Sequence, residues 1–308
     1  MSGSCCTPGR DPVGVGTITV VRSSISRTGR MVQLPGGRFL MGTEDDEGYR
    51  ADGEGPVREI ELNPFSIEPT TVTNTQFATF VNATGYVTDA ERYGFSFVFE
   101  GFLSEDLNRA SPAVHATPWW CAVSGAVWKH PEGPGSSVTS RQNHPVVHVS
   151  WNDAQAYCAW AGVRLLTEAE WEYAARGGLE QRRYPWGDEL TPGGRHRCNI
   201  WQGDFPNLDT GEDGYIGTAP VKSYRPNGYG LYNVVGNVWE WCADWFSATF
   251  HATGPRTNPT GPSDGHAKVM RGGSHMCHAS YCNRYRVAAR SSNTPDSSAG
   301  NIGFRTAA

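Results

Sequence analysis

The stretch Arg271-Gly-Gly-Ser-His-Met-Cys277-His-Ala-Ser-Tyr-Cys282-Asn-Arg-Tyr-Arg286 sets two cysteines five positions apart, behind a Gly-Gly pair and ahead of an Arg/Tyr-rich run. On a helix the two thiols drift off one face, and on a strand they point to opposite faces. They converge only where the segment bends, and Gly272-Gly273 gives the backbone that freedom. Two thiols held close can form a disulfide, hold a soft metal or carry out redox chemistry. Spacing alone favours the plainer outcomes, a disulfide or two packed thiols.

The flanks are more specific. Gly-Gly-Ser-His-Met-Cys-His-x-Ser-Tyr-Cys-Asn-Arg-Tyr-Arg-x-Ala-Ala-Arg-Ser, followed by Asn293-Thr-Pro-Asp-Ser-Ser-Ala299 and Gly303-Phe-Arg305, resembles the signature of the formylglycine-generating enzymes, the sulfatase-modifying oxidases. The resemblance covers about residues 31–307. It implies a single α+β domain with little regular secondary structure, related to the C-type-lectin-like architecture. It also implies an oxidoreductase that acts on a sulfur group with O2 as acceptor. Such an enzyme converts the cysteine of a Cys-x-Pro-x-Arg motif, in an unfolded or nascent sulfatase, to Cα-formylglycine with the help of a thiol reductant.

Several residue roles follow from the resemblance. Cys277 and Cys282 would hold Cu(I), leaving a third position for the substrate thiol. Ser274 and Tyr281 are the polar neighbours placed to orient O2 or the bound sulfur. Ser96, Pro118, Trp119 and His278 would contribute to the substrate groove. The acidic side chains that meet the motif's arginine in the family are matched here by Thr71 and Phe95, so the arginine loses its acidic partners. Two clusters, Asn199-Ile200 with Asp213-Gly-Tyr215 and Asn233-Val-Val-Gly236-Asn-Val-Trp-Glu240, carry the oxygen donors that Ca2+ prefers. Their spacing alone reads as ordinary Gly/Asn turns. The resemblance places one structural Ca2+ on Asn199, Ile200, Asp213 and Tyr215, and another on Asn233, Gly236, Val238 and Glu240. Ile200, Tyr215, Gly236 and Val238 would act through backbone carbonyls.

Other function classes fit less well. A non-catalytic ligand-binding module of the same fold would not need the cysteine pair. A closed Cys2His2 zinc site using His275 and His278 leaves no room for a substrate. A thiol–disulfide oxidoreductase normally shows Cys-x-x-Cys at a helix N-terminus, which this chain lacks.

A chain of 308 residues, 38% of them apolar, suffices for one large domain or two small ones. The formal charge of −5, without a basic stripe, argues against nucleic acid as a partner. No apolar run approaches the ~18 residues of a membrane span, and no secretory leader is visible, so a cytoplasmic location is expected. Eight cysteines are too few for a disulfide-stapled scaffold of this length. Where secreted relatives in the family carry two bridges, this chain has Ala175 with Val287 and Cys158 with Thr306. Both bridges are therefore absent, as in a bacterial-type member.

In chain order, residues 1–30 are rich in Ser, Gly and Thr and read as a mobile arm ahead of a domain spanning 31–308. The arm contains Cys6-Thr-Pro-Gly-Arg10, which fits Cys-x-Pro-x-Arg. Coincidence, or a remnant of the cysteine-bearing arm of secreted relatives, is the expected reading. Met31 to Gly42 predicts strand, turn, strand. Glu44 to Glu54 predicts a solvated acidic loop, and 58–62 and 65–67 predict short strands. A helix is expected from Thr73 or Asn74 to about Ala83, stopped by Gly85. Residues 88–145 show no long periodic element. Val146 to Ser150 predicts a strand, and Trp151 to Ala161 a helix ended by Gly162. Thr167-Glu-Ala-Glu170 is a capping box, with Glu168, Glu170 and Glu172 assigned to capping and solvation.

Overall fold

Short strand pairs and capped helices assemble around one large hydrophobic core, with a small second cluster at Val98, Cys121, Val123 and Ala126, in a computed structural model that describes residues 7–10 and 31–308. The strand–turn–strand signal at the start of the domain gives Val32–Leu34 and Gly37–Met41. The first pairs with Phe65–Ile67, the second with Arg58–Leu62. Phe65–Ile67 also pairs with the C-terminal strand Thr306–Ala307, which pairs in turn with Arg164–Leu165. Both ends of the domain are thereby held in one four-stranded sheet.

A second sheet carries the cysteine segment. Its order is Arg290–Asn293, Lys268–Arg271, Trp239–Trp245, Ile302–Phe304, with the last strand parallel to Trp239–Trp245. The chain crosses from this sheet to the first at Arg305. Its buried guanidinium reaches the Glu240 carboxylate at 2.9 Å and fixes the crossing.

Three helices pack on these sheets; the first two are bounded as the sequence predicts, and the third starts at the predicted capping box. Asn74–Thr84, Trp151–Ala161 and Glu168–Arg176 begin at capping boxes on Thr73, Ser150 and Thr167 and end at Gly85, Gly162 and Gly177. The Phe77 ring stacks on Tyr157 at 6.2 Å, and Tyr157 meets Phe304 edge-on at 5.3 Å. The first two helices are thus tied to the second sheet through aromatic contacts.

Four local expectations need correction. Val146 to Ser150 is not a strand: the Val146 N–H bonds to the Val72 carbonyl, but His148 has φ 58°, which breaks the extension. Residues 88–145 do hold regular structure, a sheet of Phe95–Phe99, Thr117–Ser124 and Ala113–Val114. Residues 96–99 are buried on both faces, so the alternation that marks a half-buried strand is missing. The acidic loop is not wholly solvated, since Glu54 is buried. Glu168 and Glu172 are buried too, paired with Arg290 and Arg271. Among the described residues no helix is long and apolar enough to cross a membrane.

Candidate active site

The cysteine segment leaves strand Lys268–Arg271 through two glycines with φ of 95° and 72°. A Cβ at Gly272 would sit 2.8 Å from the Val234 carbonyl oxygen, and one at Gly273 would sit 2.8 Å from that of Arg284. Only glycine fits both positions. Two successive turns follow, closed by Cys277 N–H to Ser274 O at 2.9 Å and Cys282 N–H to His278 O at 2.7 Å. They bring Cys277 Sγ and Cys282 Sγ to 3.4 Å, so the predicted convergence is present. The pair is not bridged to itself, because an S–S bond is about 2.05 Å. Cys282 is disulfide-bonded.

Polar groups hold the segment from beneath. The Ser274 N–H points at Cys277 Sγ at 3.4 Å, and the Ser274 hydroxyl accepts Asn301 Nδ2 at 3.0 Å. Downstream, Arg284 meets Asp52 at 2.5 Å and approaches Cys282 Sγ at 3.7 Å. Burial pushes the Asp52 carboxyl up, against the pull of Arg284. Both terminal nitrogens of Arg286 donate to Glu54, at 2.6 and 2.8 Å. The acidic loop supplies the counter-charges for the Arg/Tyr-rich run. Sequence reading missed these carboxylates.

The expected groove residues fall into two sets. Tyr281 stacks on Phe205 at 4.5 Å and meets Trp119 edge-on at 4.8 Å, and Trp119 meets Phe205 at 5.4 Å. This aromatic wall adjoins Cys282, with exposed Pro118 beside it. His278 is half-buried, its Nδ1 2.8 Å from the Ser280 hydroxyl. Ser96 instead lies fully buried, bonded to Ser298 and to His148 Nδ1 at 2.9 Å. It acts below the surface, not on it. Thr71 is buried as well.

A second stretch of this surface is occupied by the chain's own residues 7–10. Asn293 Nδ2 donates to Thr7 Oγ1 at 3.1 Å and to the Pro8 carbonyl at 3.0 Å. The Arg10 N–H donates to the Ser297 hydroxyl at 2.7 Å. The Arg10 guanidinium donates to the carbonyls of Asp296 and Phe95 at 2.6 and 2.5 Å, and lies 4.5 Å from the Tyr93 ring centre. Tyr93 is itself held by the Asp296 carboxylate at 2.7 Å. Phe95 thus receives an arginine through its backbone carbonyl, where its side chain offered no acid. The remainder of the expected arm, including Cys6, lies outside the described residues.

The expected metal cofactors do not fit this arrangement. Among the described residues, no three His, Cys, Asp or Glu side chains gather where they could hold a metal ion. A linear thiolate–Cu(I)–thiolate unit with metal–sulfur bonds of ~2.3 Å, the zinc value, needs sulfurs about 4.6 Å apart. The pair is closer, at 3.4 Å, and Cys282 is no thiolate in its disulfide-bonded state. His275 Nδ1 faces the Asn237 carbonyl at 2.8 Å and completes no set. At the first Ca2+ position, the Asp213 carboxylate accepts the Ile200 and Tyr215 N–H groups at 2.9 and 3.1 Å, and Asn199 donates to Gly217 O. At the second, Glu240 is neutralised by Arg305 and accepts the Trp171 indole, while Asn233 donates to Pro220 O. Gly236 packs its backbone on Asn199, and Val238 packs beside Gly303. The Cu(I) and both Ca2+ assignments are withdrawn.

Comparison with known proteins agrees with the fold. Residues 18–308 match the family described as sulfatase-modifying factor enzyme 1-like domain. A formylglycine-generating enzyme of Thermomonospora curvata is 66% identical over 281 residues, covering 90% of this chain and 93% of that one. One of Streptomyces coelicolor is 64% identical over 276 residues, covering 90% and 88%. The solved structure of PvdO from Pseudomonas aeruginosa superposes with a TM-score of 0.66 at 26% identity, covering 96% of this chain and 99% of that one. With residues 18–308 matched by the family and relatives this similar over nine-tenths of the chain, this chain belongs to the sulfatase-modifying factor enzyme 1-like family.

Proposed function

We propose that this chain converts a cysteine of sulfatase polypeptides to Cα-formylglycine, using O2. The observation that carries the reading is the pair of sulfurs 3.4 Å apart in a chain 66% identical to a formylglycine-generating enzyme. The overall change is R–CH2–SH + O2 + 2 H → R–CHO + H2S + H2O. A thiol reductant gives the two hydrogens and leaves as its disulfide. General bases do not break an unactivated Cβ–H bond at neutral pH, so the oxidant is required.

The chain's own residues serve to hold and position the substrate sulfur. A disulfide-bonded Cys282 with Cys277 beside it is arranged for thiol–disulfide exchange, which proceeds by thiolate attack on a disulfide sulfur. Cys282 is suited to hold the substrate sulfur, and Cys277 to release it. The Ser274 N–H aimed at Cys277 Sγ orients that sulfur. Tyr281, Trp119 and Pro118 offer an apolar wall to the peptide, with His278 at its rim and Ser96 supporting Ser298 from below. A Cys-x-Pro-x-Arg segment is the substrate this surface suits.

The test is purified chain with O2, dithiothreitol and a Cys-x-Pro-x-Arg peptide, read by peptide mass. Cys277→Ser and Cys282→Ser are each expected to abolish conversion. Cys158→Ser and Cys242→Ser are expected to leave it unchanged, because burial pushes both thiols well above their ordinary range and keeps them inert. Full conversion by Cys277→Ser would sink the assignment of the pair.

A further inference from the structure

The segment that seats residues 7–10 also reaches the cysteine pair. Asn293 and Ser297 hold Thr7, Pro8 and Arg10, and eight residues beyond Asn293, Asn301 holds the Ser274 hydroxyl next to Cys277. The seat is close-fitting. A Cβ on Gly9 would lie 2.7 Å from Asn293 Oδ1, and Pro8 and Arg10 are buried. Proline and arginine are the two positions that Cys-x-Pro-x-Arg fixes besides its cysteine, and Cys6 directly precedes Thr7.

We infer that Cys6 of this chain is itself a substrate, delivered to its own active site by the docking of Thr7–Arg10. The inference rests on the proposed function and uses the same balance: the Cys6 Cβ becomes an aldehyde carbon, its sulfur leaves as H2S, and O2 and a thiol reductant close the equation. Delivery within one chain is feasible. The roughly 20 residues between Arg10 and the domain can span about 70 Å, against a radius of gyration of about 19 Å for a chain of this length. Tethering raises the local concentration of the motif to the order of millimolar. The guanidinium is recognised by two backbone carbonyls and the Tyr93 ring, with the Asp296 carboxylate behind, so no acid at position 71 or 95 is needed.

The experiment follows two cysteines in one reaction. Full-length chain is reduced, incubated with O2, dithiothreitol and an external Cys-x-Pro-x-Arg peptide, and then digested. The masses of the peptide bearing Cys5 to Arg10 and of the external peptide are read together. Conversion of Cys6 is expected in the parent chain. Arg10→Ala is expected to lower it at least about tenfold, the equivalent of one or two charge-assisted hydrogen bonds, while external turnover is retained. Cys282→Ser is expected to leave Cys6 unconverted. External turnover with an intact Cys6 would overturn the inference and leave the proposed function standing. Equal conversion in Arg10→Ala, or conversion in Cys282→Ser, would overturn it as well. Failure of both peptides would instead remove the proposed function, and the inference with it.

Discussion

Glu54 and Arg286 stand 232 positions apart in sequence and meet through two hydrogen bonds with both side chains almost fully buried. A buried ion pair is weak evidence of net stability, but breaking one leaves a desolvated charge and is strongly destabilising. Glu54→Gln is therefore expected to lower unfolding stability by about 3–5 kcal/mol, read from the urea midpoint. It should also reduce conversion, because Arg286 anchors the segment that carries Cys282. A midpoint unchanged from the parent would mean that Arg286 finds another counter-ion. At this scale the sequence was legible where chemistry is local. The Gly272-Gly273 hinge announced the convergence of two cysteines five positions apart. Glu54, Asp52 and the seat of Arg10 were not legible, because each partner comes from a distant segment and an acidic loop by itself favours water. The hard-oxygen clusters misled for a related reason: the Asp213 and Glu240 carboxylates are taken by N–H groups and by Arg305, which spacing does not reveal.

Helix boundaries were the most readable elements, since capping is settled within a few residues. Thr167 accepts the Glu170 N–H, and the Glu170 carboxylate accepts the Thr167 N–H at 2.9 Å. Glu170 also pairs with Arg164 at 2.7 Å, so the box joins the helix to strand Arg164–Leu165. Thr167→Ala is expected to cost about 1 kcal/mol. That corresponds to a fall in melting temperature of about 2–4 °C for a domain of this size, with conversion unchanged because the helix start is far from the sulfurs in sequence and makes no contact with them. A melting curve unaltered within error would show that Arg164 alone fixes Glu170. Strands were read less well, and in a consistent way. Arg58–Leu62 alternates buried and exposed residues and was recognisable, whereas Phe95–Phe99 has both faces covered and lacks that period. Val146 to Ser150 has the composition of a strand, but the left-handed His148 turns it into a connection that hands the chain to helix Trp151–Ala161.

Across the whole molecule, buried titratable groups of opposite tendency set the response to pH. Burial lowers His148 and His275 from 6.5 to about 4. Between those values the unfolded chain binds the protons and the folded chain does not, so stability rises with pH. Burial, then the nearby charge of Asp89, raises Asp153 from 3.8 to about 7. Burial, then the charge of Glu168, raises Asp244 likewise to about 7. Between 3.8 and 7 the folded chain holds those protons and the unfolded chain does not, so stability falls as pH rises. Two groups pull each way, and stability is expected to be nearly flat from pH 5 to 6.5. Asp244→Asn removes one side of the balance while keeping an oxygen to accept the Glu168 N–H, which Asp244 now accepts at 2.8 Å. Relative to the parent, the variant should gain roughly 1.5–2 kcal/mol between pH 5 and 6.5, slightly less than one proton at 1.36 kcal/mol per pH unit. Denaturant titrations of both chains at the two pH values measure this directly. Parallel curves would mean that Asp244 keeps its charge in the fold, held by Arg290 and Lys268 of the same sheet.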